Sequence, residues 1–124
     1  MSETRNPAAG EVWDVNFDPQ VGHEQGGIRP ALVVSGDRFN RIPHSFRIVA
    51  PITGTDRDLP HQVKLEPPEG GLTKPSVIMC EQIKSQSLLR FRRKRGDASP
   101  ETVEQVWGLV GIFLDLRSVL DPAP

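Results

Sequence analysis

Arg29 and Thr53 are the two residues of this 124-residue chain whose side chains combine most readily into one chemistry. Arginine is a permanent cation with five donors in a planar fork, a shape that suits a phosphate, and a threonine hydroxyl can donate or accept a hydrogen bond. The sequence between them brings them together. Residues 31–34 are a continuous apolar run suited to a central strand, residues 37–40 have turn chemistry, and residues 46–52 alternate with Phe46, Ile48, Ala50 and Ile52 on one face. If residues 30–35 and 46–52 pair as an antiparallel hairpin, Arg29 and Thr53 emerge at the same end of the sheet, within a one-residue slip of register. On these two residues alone the default is an exposed arginine before a strand and a threonine ending one, so the surrounding sequence has to decide.

The elements that would position this pair can be read from periodicity. Residues 11–17 alternate, with Val12 opposite Trp13, Val15 and Phe17, and Pro19 closes what reads as a half-buried first strand. Residues 18–28 carry three glycines and no usable period, which marks a long loop, and long loops in small domains are usually functional or mobile. Residues 61–65 and 77–80 are further short strands, separated by the turn-rich 67–71, and 89–95 is a last strand with a heavily charged edge. Only the C-terminal segment has a helical period, through Val103, Val106, Trp107, Val110, Phe113 and Leu114, with Ser99 as cap, Pro100 at the first position and Glu101 in the first turn. Gly108 and Gly111 inside it would permit close approach by another element. The expected architecture is mainly β: a small barrel or half-barrel of six to seven strands with a C-terminal α-helix. It would form one domain over residues 10–117, between flexible tails at 1–9 and 118–124.

Composition narrows the function classes. Fifteen Lys and Arg against sixteen Asp and Glu give a net charge of −1, with 36% hydrophobic and 25% charged residues, ordinary for one soluble domain. The longest apolar stretch, residues 107–114, is interrupted by Gly108 and Gly111 and is far too short for a membrane span. The first ten residues lack the apolar region of a secretory signal, so a cytoplasmic protein without membrane attachment is expected. The single Cys80 closes no internal disulfide and builds no Cys-based zinc site, and its neighbours Ile78 and Met79 make it a small core residue. Near-neutrality hides one basic run, Lys84, Arg90, Arg92, Arg93, Lys94 and Arg95, with no acid among them. Such a run can attract phosphates, and on an edge strand it also discourages unwanted strand pairing.

The wording around the pair is more specific than the pair. Gly10-Glu-Val-Trp13 opens a strand, Gly22-His-Glu-Gln-Gly-Gly-Ile-Arg-Pro30 leads into residues 31–35, and Pro51-Ile-Thr53 and Ser76-Val-Ile-Met-Cys-Glu-Gln-Ile83 follow. This ordered series, spanning residues 10–116, resembles the MazF/PemK family. The resemblance implies an SH3-like barrel with a C-terminal helix, and a toxin of a type II toxin–antitoxin pair that acts as a metal-independent, cofactor-free endoribonuclease on single-stranded mRNA. It places the family's motif arginine on Arg29 and its catalytic threonine on Thr53. Similarity to the Kid branch adds His23 and Glu81 as auxiliary catalytic candidates. That branch has an arginine two positions before the acid where this chain has Met79, so its set is incomplete here and Arg29 with Thr53 is the primary pair. Glu24, Gln25 and Gln82 resemble RNA-contacting positions, Gly26 and Gly27 would let the loop backbone approach a ligand, and Lys84 joins them as a cation. With no tyrosine in the chain, polar groups reading base edges suit it better than aromatic stacking.

The same resemblance implies a homodimer and a cognate MazE-like antitoxin whose extended segment covers the RNA groove. Two other classes compete. A gyrase poison of the CcdB type shares the fold but relies on a C-terminal tryptophan-glycine-isoleucine ending, whereas this chain ends Asp121-Pro-Ala-Pro124 and carries Trp107-Gly108 inside the helical segment. A barrel that only binds RNA or protein is disfavoured by Arg29 and Thr53.

Overall fold

The longest apolar runs make the centre of a sheet, and the polar or interrupted ones make its margins. A computed structural model describes residues 5–116. Strands β1 (Glu11–Asn16), β2 (Ile28–Val33), β3 (Phe46–Thr53), β4 (Val63–Leu65), β5 (Ser76–Ile78), β6 (Lys84–Ser87) and β7 (Phe91–Asp97) are joined by a one-turn helix α1 (Asp37–Asn40) and end in α2 (Pro100–Phe113). Short 3-10 turns at Glu69–Gly71, Cys80–Gln82 and Leu88–Arg90 interrupt the later strands. Pairing is antiparallel in the order β4-β5-β3-β2-β1-β7, with β6 added to β3. The expected β fold of six to seven strands with a terminal helix is therefore present, with seven strands. Its barrel is open among the described residues, because β4 and β7 end the path without pairing with each other.

Apolar residues fill both faces of the central strands, which is why residues 31–34 show no alternation. Leu32, Val34, Ala50 and Ile52 join Val12, Leu65, Ile78, Cys80 and Val106 in one cluster, while Ala31, Val33 and Val49 join Val15, Phe17 and Phe91 in the other. Fully burying a side chain of the Val, Leu or Phe kind contributes roughly 1.5–3 kcal/mol, so the two clusters dominate the stability of so small a sheet. Strand β1 serves both faces through register shifts at Val12/Trp13 and Asp14/Val15, which break strict alternation.

Several local expectations change. The alternation assigned to 46–52 fails at its start: Phe46 is 46% exposed and Arg47 only 4%. Arg47 turns inward because three oxygens meet it there, Pro7 O at 2.8 Å, Phe46 O at 2.9 Å and Asn6 Oδ1 at 2.9 Å. Those bonds also correct the flexible tail expected over 1–9, since residues 6 and 7 are docked on β3 and Ala8 N–H donates to Glu11 Oε1. Residues 1–4, residue 117 and the tail expected at 118–124 lie outside the described residues. The turn expected at 37–40 closes one helical turn, and the last strand begins at Phe91, after Leu88–Arg90 has formed a 3-10 turn.

Helix α2 begins as its sequence requires, with Ser99 Oγ accepting from Thr102 N–H at 3.2 Å and Pro100 in the first turn. Its packing fades towards the C-terminus: Val103 and Val106 are buried, Leu109 and Val110 pack partly buried against the same cluster, Trp107 is 45% exposed while donating from Nε1 to Val34 O at 2.8 Å, and Ile112, Phe113 and the following Leu114 face outward. Gly108 and Gly111 have open space where a Cβ would stand, so the close approach expected there does not occur among the described residues.

Glu69 fastens the helix start to the sheet by accepting from Ser99 N–H at 2.8 Å and Thr102 Oγ1 at 2.6 Å. Burial pushes its carboxyl up, but the bonds from Thr102 and Ser99 outweigh burial and hold it below its ordinary value. A carboxyl depressed in the folded state contributes stability above its unfolded pKa and loses it as pH falls through the folded value. Glu69→Ala is therefore expected to cost about 2 kcal/mol at neutral pH. In urea unfolding the gap to the parent protein should narrow below about pH 4, and an unchanged gap down to about pH 2 would refute the assignment.

Candidate active site

The β2–β3 pairing sets the site. Ala31 lies opposite Pro51, Leu32 opposite Ala50 and Val33 opposite Val49, and continuing this register outward puts Arg29 opposite Thr53. Arg29 lies inside β2 and Thr53 is the last residue of β3, and both line one cavity of about 770 Å³. Arg29 Nε donates to Gly26 O at 3.1 Å, which fixes the guanidinium plane, and no described residue accepts from its two terminal nitrogens. Thr53 Oγ1 accepts from Thr55 N–H at 3.3 Å, leaving its own proton available to donate.

Two further segments close around the pair. The long loop 18–27 brings His23, Glu24, Gln25 and Gly26 to the cavity, and the 3-10 turn after β5 brings Glu81 and Gln82. The turn is pinned by Met79 N–H to Pro51 O at 2.8 Å and Gln82 N–H to Met79 O at 3.0 Å. The loop is latched to it, because Gln25 N–H donates to Gln82 Oε1 at 3.1 Å and Lys84 Nζ stands 3.4 Å from Glu24 Oε2. His23 is exposed and no hydrogen bond fixes its ring among the described residues. Gly27 and Lys84 stand outside the cavity wall. Gly27, at φ +74°, donates its N–H to Asp18 Oδ1 at 2.7 Å and so shapes the loop.

Glu81 does not bond Arg29. Its Oε2 accepts from Gln62 Nε2 at 2.9 Å and lies 3.7 Å from His61 Nε2, while the sequence alone leaves open a backbone or Arg29 partner. Cys80 beside it is buried, and burial together with the Glu81 charge pushes its thiol up to about 11, which keeps it protonated and unreactive near neutral pH. Among the described residues no three or more His, Cys, Asp and Glu are grouped to hold a metal ion.

The opposite wall was not legible. Thr55, Arg57, Leu59 and Gln62, all between β3 and β4, line the cavity. Asp56 and Asp58 on either side of Arg57 are tied to Lys64 at 3.5 and 2.8 Å, and Arg57 itself makes no ion pair among the described residues. The only signal was a polar stretch directly after Thr53 with a proline at its far end. The basic run resolves the other way. Arg93 and Arg95 each lie 3.0 Å from Asp14, Lys94 lies 3.4 Å from Glu11 and 3.2 Å from Asp97, and Arg90 donates to the carbonyls of Asn16 and Asp18. These cations fasten the edge strand β7 to β1 and its following loop.

A family model described as PemK-like, MazF-like toxin of type II toxin-antitoxin system matches residues 8–114. The chain is 33% identical over 112 residues to an Endoribonuclease MazF of Staphylococcus saprophyticus, covering 89% of this chain and 92% of that protein. Among solved structures, MazF from Deinococcus radiodurans superposes with a TM-score of 0.78 at 30% identity, over 90% of this chain and 99% of that one. A MazE-MazF structure from the same organism gives 0.73 at 30% identity, over 91% and 99%.

Proposed function

The chain belongs to the PemK-like, MazF-like family of toxins of type II toxin–antitoxin systems, and on that premise we propose that it is a sequence-specific endoribonuclease that cuts single-stranded mRNA and thereby halts translation and growth. The observation that carries this reading is Arg29 and Thr53 meeting at one end of the β2–β3 pair in a shared polar cavity.

In the proposed reaction a ribose 2′-OH attacks the adjacent phosphorus and the bond from phosphorus to the 5′ oxygen breaks. The products are a 2′,3′-cyclic phosphate and a 5′-hydroxyl. One proton leaves the nucleophile and one reaches the leaving oxygen, so the enzyme must move protons and stabilise the charge that builds on the non-bridging oxygens. A guanidinium is a poor base, so Arg29 is assigned to charge stabilisation and donation. Thr53 donates its hydroxyl proton to a phosphoryl oxygen. His23 and Glu81 are the candidates for base, and Glu24, Gln25, Gly26, Gly27, Gln82 and Lys84 form the RNA-reading side, held together by the bond from Gln25 N–H to Gln82 Oε1.

The proton balance closes without a metal or cofactor, and the scheme uses none. The proposed partners are single-stranded RNA, a cognate MazE-like antitoxin and a second copy of the chain. The MazE-MazF relative supports the antitoxin, and the outward Ile112, Phe113 and Leu114 of α2 give the second copy an apolar surface to cover. No described helix is long and apolar enough to cross a membrane, and a messenger substrate is met in the cytoplasm.

The direct test is to incubate the purified protein with a long single-stranded RNA in EDTA and to map cut sites and end groups. Discrete cuts leaving cyclic phosphate and 5′-hydroxyl ends are expected. Uncut RNA, or 5′-phosphate ends, would overturn the reading.

A further inference from the structure

We propose that His61 is a positioning residue which holds Glu81 as the base for the 2′-hydroxyl, an inference that rests on the endoribonuclease reading above. Two carboxylates line the cavity, Glu24 and Glu81. Glu24 Oε2 is turned to Lys84 Nζ and stands on the long loop, whereas Glu81 stands on a turn pinned to Pro51, two residues before Thr53. The remaining candidate base, His23, has no hydrogen bond to orient its ring among the described residues.

Glu81 is held from one side only. Gln62 Nε2 donates to its Oε2 at 2.9 Å and His61 Nε2 faces the same oxygen at 3.7 Å, so both neighbours come from the segment just before β4 and both address Oε2. Oε1 has no partner among the described residues and is the oxygen left to take the proton. The His61 and Glu81 side chains are 37% and 35% exposed, so the pair sits at the cavity margin, close enough for a small movement on binding to bring His61 into hydrogen-bond range. His61 is not among the residues lining the cavity. Its effect must therefore pass through Glu81, by keeping Oε2 engaged and Oε1 unbonded in the cavity that Glu81 shares with Arg29 and Thr53. The other charged groups around that carboxylate are Arg29 and Arg57 across the cavity and His23 and Glu24 from the loop.

A double-mutant cycle on the full chain tests this, with kcat and KM for cleavage of one RNA containing a single mapped site. Glu81→Gln should lower kcat about a hundredfold and His61→Ala about tenfold, each with KM within about twofold of the parent protein. In the Glu81→Gln background His61→Ala should change kcat by less than about twofold, because a residue acting through Glu81 has nothing left to position. His61→Gln, which keeps a donor near the Nε2 position, should recover kcat to within about threefold and guards against a folding artefact. Equal loss from His61→Ala in both backgrounds, a KM change with kcat intact, or a parent-like kcat in either single variant would each overturn the proposal. Arg29→Ala run alongside separates the two levels. If it abolishes cleavage while Glu81 and His61 prove dispensable, the ribonuclease reading stands and this inference falls; if the parent protein cuts nothing, both fall.

Discussion

Arg29→Ala is expected to lower kcat for RNA cleavage by about 10²–10³-fold, equivalent to roughly 2.7–4 kcal/mol of transition-state stabilisation. The size follows from how the guanidinium is held. Its Nε is committed to Gly26 O, which locks the plane, and its terminal nitrogens have no acceptor among the described residues. A donor fixed before the substrate arrives costs no reorganisation when charge develops on the phosphoryl oxygens. Arg29→Lys should recover little, because a point charge on a flexible stem reproduces neither the bond to Gly26 nor the fork. Thr53→Ala should cost about 10–100-fold and Thr53→Ser much less, since the hydroxyl is the part in use. Binding of an uncleavable RNA, with the attacking 2′-OH replaced, should weaken by far less than kcat in both alanine variants. Parallel losses in affinity and rate would make Arg29 an anchor for RNA and leave its chemical role without support.

Gly71→Ala should be the most destabilising single substitution outside the apolar clusters, costing more than about 3 kcal/mol. Gly71 has φ +69°, where a side chain is already strained, and a Cβ built on it would stand 2.0 Å from Arg95 O and 2.6 Å from Arg95 C. The obstacle is backbone, so no rotamer change relieves it. The facing residue is also glycine: a Cβ on Gly96 would meet Gly71 N at 2.6 Å. The 3-10 turn at Glu69–Gly71 thus lies directly on β7, and Glu69 within the same turn holds the start of α2. Forcing the turn away separates the edge strand from the helix cap in one step. Urea unfolding of Gly71→Ala should show a much lower midpoint, or no folded baseline, and a midpoint near that of the parent protein would mean that the turn can lift without consequence.

The parts of this molecule that could be read beforehand are those whose local pattern and tertiary role agree. The apolar run 31–34, the turn residues after it and the alternation before Thr53 specify the β2–β3 pairing by local pattern alone, and with it Arg29 beside Thr53. The cap and first turn of α2 were legible for the same reason: Ser99, Pro100 and Glu101 act on their own backbone. Strand β6 was not, because Lys84–Ser87 carries no apolar period and becomes a strand only by pairing with Phe46–Val49. The inversion at Phe46 and Arg47 depends on oxygens forty residues away in sequence. The stripe on α2 gave the correct helix but not its burial, because periodicity reports an apolar face and not what covers it. The far wall of the cavity, from Thr55 to Gln62, and the approach of His61 to Glu81 arise from a loop with neither period nor motif, and only folding brings them opposite β2.

Strand β7 has one consequence for how RNA would be found. A cation releases counterions from a nucleic acid only if its charge is not already matched, and Arg93, Lys94 and Arg95 are matched by Asp14, Glu11 and Asp97. That part of the most basic segment is therefore largely neutralised in place, while Arg90, bonded to carbonyls, and Arg92, without an ion pair among the described residues, keep their charge. Inside the cavity the cations are Arg29 and Arg57, unmatched by any ion pair among the described residues, and discrimination falls on them and on the amides around them. A nuclease built this way draws less on its basic run than the sequence suggests and more on the fit of the bases in the cavity.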